Sequence, residues 1–99
     1  MKKDVIRFER ILNESSETLN ELEIVLDRIE QNQNNYNELK KYYGSEEYFR
    51  DVEISNNGDE YDDIVCGVLT EDLVYDLIGR SYDISIRMLE IATKILKEH

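Results

Sequence analysis

The chain has 99 residues, which makes a single domain, residues 1–99, the expectation and leaves room for one modest core. Apolar residues make up 40% and charged residues 35%, too apolar for a disordered chain, and proline and tryptophan are absent, which suits long uninterrupted helices. The formal net charge of −11 argues against nucleic acid and against an anionic membrane as partners, because both need basic surface to neutralise phosphate.

The first ten residues carry Lys2, Lys3, Arg7 and Arg10 but no apolar run behind them, so they do not read as a secretory signal. No stretch approaches the ~20 apolar residues of a membrane span. From Phe8 onward a heptad seam runs through Leu12, Ser15, Leu19, Leu22, Leu26, Ile29, Gln33 and Tyr36. Ile11, Thr18, Val25, Asn32 and Leu39 form a second stripe beside it, wider than a strict two-stranded seam needs. The spacing predicts one long helix over about 4–43, capped by Asp4 and ended at Gly44. Gln31 to Asn35 are moderate-to-poor helix formers, but Tyr36 and Leu39 stay in phase, so the helix is expected to continue through them. Such a helix is about 60 Å long, more than the shorter elements behind it can cover. That mismatch predicts a homodimer along the first helix.

Ser45 is placed to cap a short helix over about 46–54, with Glu46 and Glu47 at its positive end. Asn56-Asn57-Gly58-Asp59 reads as a turn inside an acidic loop over about 55–69. Thr70 is placed to cap a helix over about 71–78 that stops at Gly79. A last helix over about 82–97 starts near Ser81 or Asp83 and presents Ile84, Met88, Ile91 and Ile95. The fold class is therefore all-α: one long N-terminal helix with two short helices and a C-terminal helix packed back on it.

The charge is uneven. Residues 45–79 hold one basic and eleven acidic groups, so nearly all the excess sits in the middle of the chain. A basic partner is compatible with this, and so is plain solubility.

Catalytic groups are scarce. The one histidine is the last residue, His99, where it cannot be held in a fixed geometry. One cysteine and one histidine do not make a structural zinc site. Cys66 admits no internal disulfide, and its acidic neighbourhood disfavours a reactive thiolate, so it reads as a buried structural residue of a reduced, cytoplasmic chain. An EF-hand loop centred on Gly58 would need a bidentate glutamate where Ile64 stands, so that motif fails. Asp59, Glu60, Asp62 and Asp63 remain a loose option for a divalent ion. There is no glycine-rich phosphate loop and no serine nucleophile elbow. No catalytic residue, metal ligand or cofactor is assigned. The seven tyrosines, Tyr36, Tyr42, Tyr43, Tyr48, Tyr61, Tyr75 and Tyr82, suit either a core edge or an interface.

Three blocks resemble a known family: Tyr42-Tyr43-Gly44-Ser45-Glu46-Glu47-Tyr48-Phe49-Arg50-Asp51, Cys66-Gly67-Val68-Leu69-Thr70-Glu71-Asp72-Leu73-Val74-Tyr75-Asp76-Leu77-Ile78, and Ile86-Arg87-Met88-Leu89-Glu90-Ile91-Ala92. The chain is similar to the short acidic bacterial proteins grouped as domain of unknown function 4298. The family's pattern has a tryptophan near Tyr48, where this chain carries tyrosine. The resemblance implies a bacterial cytoplasmic helical protein and lends no activity. The function expected is a non-enzymatic protein–protein interaction module with an unknown protein partner. The alternatives are an acidic DNA-mimic inhibitor of a nucleic-acid-binding protein, and a carboxylate-based metal-binding protein or enzyme.

Overall fold

The computed structural model describes residues 1–99 as an all-α chain with no strands. Three helices follow one another: α1 over Lys2–Tyr42, α2 over Glu46–Asn57 and α3 over Glu71–Lys97, with a 3-10 turn at Gly67–Leu69 before the last. The chain divides into two compact units, residues 1–37 and 38–99. No helix is long and apolar enough to cross a membrane.

The first unit is the larger part of α1. The helix runs unbroken through Gln31 to Asn35, as the phase of the stripe predicts. In this polar stretch Gln33 Nε2 donates to Asn37 Oδ1 at 3.3 Å, an i,i+4 bridge of the kind that supports exposed helix. Asp4 is not the cap. It lies inside the first turn, where its carboxylate meets the positive end of the helix and the amino group of Met1 at 3.6 Å. No residue of α1 is buried.

The second unit opens on the end of α1. Gly44 adopts φ +82°, a left-handed conformation that ends the helix without a Cβ penalty. Ser45 then caps α2: its Oγ accepts the Tyr48 N–H at 3.2 Å and donates to the Tyr42 carbonyl at 2.6 Å. Glu46 and Glu47 occupy the first turn, as expected. α2 runs to Asn57, so Asn56 and Asn57 are helical and the acidic loop is shorter than the sequence predicts. Gly58 takes an extended conformation, and the Asp62 and Ile64 amides donate to the Asp59 and Tyr61 carbonyls at 3.1 and 3.2 Å.

Two further expectations are corrected in α3. Thr70 stands at the cap position, but its hydroxyl donates to the Gly67 carbonyl at 2.7 Å and caps no α3 amide. It closes the 3-10 turn, leaving Glu71 and Asp72 to complement the start of α3. The predicted helices 71–78 and 82–97 are one helix. Gly79 does not end it, and Ser81 and Asp83 do not start another. An interior glycine costs about 1 kcal/mol relative to alanine, and no proline follows to enforce a break. Val74, Leu77, Ser81, Ile84, Met88, Ile91 and Ile95 meanwhile keep one 3-4 spacing across Gly79, so a single face continues.

The core of this unit is small: Tyr48 at 6% exposure and Val74 at 4%. Around Tyr48 stand three rings, Tyr42, Tyr43 and Phe49, with centroids 5.7, 5.2 and 5.4 Å away and all edge-on. The Tyr43 hydroxyl donates to the Glu71 carbonyl at 3.1 Å, tying the end of α1 to the start of α3.

Candidate interaction surface

Both long helices carry faces of exposed apolar residues. On α1, Phe8, Leu12, Leu19, Leu22, Leu26 and Ile29 are all exposed, Leu12 by 60% and Leu19 by 57%. The second stripe follows, with Ile11 and Val25 exposed too. On α3 the face formed by Leu77, Ile84, Met88, Ile91 and Ile95 is likewise exposed. Leu89 and Leu96 lie beside it, each about seven-tenths exposed. Scattered surface leucines are ordinary; contiguous heptad stripes are not, and patches of that kind mark sites of association.

The second unit adds a polar feature that the sequence did not single out. The Asp51 carboxylate on α2 accepts two tyrosine hydroxyls, Tyr42 on Oδ2 at 2.5 Å and Tyr61 on Oδ1 at 3.0 Å. One ring comes from the end of α1 and the other from the acidic loop, so a single side chain ties three segments together. Both phenols are held above their usual range. For Tyr42, burial comes first and the hydrogen bond and charge of Asp51 follow. For Tyr61, the hydrogen bond to Asp51 comes first and burial second. Tyr43 is shifted the same way by burial, then by Tyr48 and Glu71. A phenol held protonated is a hydrogen-bond donor, and the reverse of an activated base. The clamp therefore suits a structural role, and its two acceptor oxygens are already occupied.

Beside the clamp lies a recess of about 250 Å³ whose lining includes Tyr42, Asp51, Tyr61 and Cys66. Cys66 is half-buried, with Sγ 3.7 Å from the Tyr61 carbonyl and 3.6 Å from that of Ile64. A wider open groove of about 800 Å³ runs past Tyr43, Tyr48, Phe49, Val52 and Leu69. The loop acids Asp59, Glu60, Asp62 and Asp63 are exposed, and nowhere do three or more His, Cys, Asp or Glu side chains gather in a way that could hold a metal ion. Of the seven tyrosines, Tyr48 is buried, Tyr36, Tyr42, Tyr43 and Tyr61 are half-buried, and Tyr75 and Tyr82 stand out from α3 at 68% exposure.

Comparison with known proteins agrees with the three sequence blocks. The pattern of the family described as Domain of unknown function (DUF4298) matches residues 5–91, nearly the whole chain, and the protein belongs to that family. No curated protein matches it.

Proposed function

We propose that this DUF4298 protein is a non-enzymatic bacterial protein–protein interaction module, working in the cytoplasm, that contacts its partners through the apolar faces of its long helices. The observation that carries the reading is the continuous exposure of the heptad stripes on α1 and α3. Leaving so many leucines and isoleucines in water forgoes roughly 1.5–3 kcal/mol for each one that burial would cover, so a partner surface gains a great deal by covering them. Two further features agree. Asp51, the acid held most firmly in place, is committed to two tyrosines, and the loop acids are spread in solvent.

The test is capture from a lysate of the source organism with three baits: the wild type, Leu26→Glu on α1 and Ile91→Glu on α3. Each wash is made at low and at high salt. A partner retained in high salt and lost with either variant supports the reading, because apolar contacts resist screening. A partner released by salt and indifferent to both variants overturns it in favour of the acidic segment over residues 45–79, the surface a DNA-mimic inhibitor would use. If no bait captures anything and the protein does not self-associate, the module reading fails.

A further inference from the structure

We propose that the α1 stripe from Val5 to Ile29 is covered by a second copy of the same helix, packed antiparallel in the register that sets Val5 opposite Ile29. This rests on the interaction reading above and names the occupant of one of its faces. The argument begins with the heptad. Val5, Leu12, Leu19, Leu26 and Gln33 take one seam position, and Phe8, Ser15, Leu22, Ile29 and Tyr36 the other. Antiparallel pairing places one set against the other. In the stated register Val5 meets Ile29, Phe8 meets Leu26, Leu12 meets Leu22 and Ser15 meets Leu19, and two-fold symmetry repeats each layer.

Every layer is apolar except one, and there the small Ser15 faces the larger Leu19, the alternation that lets facing layers interdigitate. In this register Val5, the first apolar seam residue within α1, meets Ile29, the last apolar one before Gln33, and Gln33 falls opposite Met1, which precedes the helix. Sliding one heptad one way sets Phe8 against Gln33. Sliding one heptad the other way leaves Ile29 uncovered and sets Leu26 against Met1, outside the helix. The second stripe obeys the same symmetry, with Ile11 beside Val25 of the other copy and Thr18 near the axis.

Parallel pairing does worse on two counts. It stacks Ser15 on Ser15 and Gln33 on Gln33. It also brings the net-positive segment of Lys2, Lys3, Asp4, Arg7, Glu9 and Arg10 against itself. The antiparallel register lays that segment beside Asp27, Arg28 and Glu30, which are net negative. Within its own unit nothing competes for the stripe, since no residue of α1 is buried.

The experiment uses the full chain. Light scattering across a concentration series should give a dimer, and Leu19→Glu, which places two carboxylates near the axis, should give a monomer at concentrations where the wild type is fully dimeric. The near-ultraviolet circular dichroism of the Tyr48 cluster reports that the second unit of the variant remains folded, and far-ultraviolet helicity reports α1 itself. Orientation is read by pulsed electron spin distances in a Cys66→Ser background. Labels at Arg10→Cys and Gln31→Cys both lie on the outer face of α1. The proposed register separates paired labels along the axis by about 21 Å at position 10 and about 42 Å at position 31, at 1.5 Å per residue. Equal distances at the two positions would show parallel pairing and overturn the proposal. A wild type that stays monomeric at every concentration overturns it too. A monomer whose partner capture still depends on Leu19 leaves the interaction reading standing, and indifference of both assays to Leu19→Glu removes both.

Discussion

Replacing Asp51 by alanine should unfold the second unit more readily, because one carboxylate accepts hydrogen bonds from two segments that otherwise share little. A hydrogen bond to a charged acceptor contributes about 1.5–3 kcal/mol when well shielded. Asp51, Tyr42 and Tyr61 are half-buried, so roughly 1 kcal/mol each is the better figure, and Asp51→Ala should cost about 2 kcal/mol. For a unit of this size that lowers the melting temperature by about 10 °C. Tyr42→Phe and Tyr61→Phe should each cost about half as much, and Asp51→Asn, which keeps one acceptor oxygen, should fall between. The assay is urea unfolding followed by near-ultraviolet circular dichroism, which reads the aromatic cluster. In a Tyr42→Phe, Tyr61→Phe background, Asp51→Ala should cost little more, since both donors are already gone. A cost within about 0.5 kcal/mol of zero in the wild-type background, or an undiminished cost in the double phenylalanine background, would refute the clamp.

The same phenols set an alkaline limit. Their folded-state values lie above the ordinary value near 10, so the proton is bound more tightly in the folded protein. The stability this provides is complete below about pH 10 and is lost progressively as the pH rises above it toward the raised folded-state values. Denaturant midpoints measured from pH 8 to 11 should hold steady and then drop, and Tyr42→Phe should reduce the drop. Gly79→Ala should stabilise α3 by about 0.5–1 kcal/mol, because a Cβ there meets no atom within 4 Å and φ is not positive; thermal melting checks it. Gly44→Ala should destabilise by about 1–2 kcal/mol in the same assay, although its Cβ also has free space, because its backbone is left-handed.

Long periodic segments were legible before the structure, and positions fixed by tertiary contact were not. The phase of Tyr36 and Leu39 carried α1 through its asparagine-rich stretch, because seven-residue repetition over four turns and more outweighs weak local propensity. Ser45 was readable for the opposite reason: its whole function as a cap lies within three residues of sequence. Gly79 misled because glycine marks a helix end only when the chain takes a left-handed turn there. Gly44 does so and Gly79 does not. The Thr70 hydroxyl has two possible uses, and it donates to the Gly67 carbonyl behind it rather than capping α3. Asp51 gave no signal at all. Its partners lie nine and ten residues away on either side, across a glycine turn and an acidic loop, and no sequence period connects them.

The two units differ in what holds them. The second has a small aromatic core, a shared carboxylate and a backbone tie from Tyr43 to Glu71, all within residues 38–99 apart from solvent. The first is a helix segment whose side-chain bridges are local and exposed, such as Arg10 to Glu14 at 3.9 Å and Gln33 to Asn37 at 3.3 Å, each worth at most a few tenths of a kcal/mol. A helix without tertiary packing draws most of its stability from whatever covers its apolar face. On the proposed reading, whatever covers Leu12, Leu19 and Leu26 stabilises the helix by mass action, and whatever strips the cover away loosens it. This makes the length of α1 intelligible. On the same reading, seven-residue spacing kept up over this many turns suits another helix of comparable length, and a stripe that fits its own reverse finds that helix in a second copy of the chain.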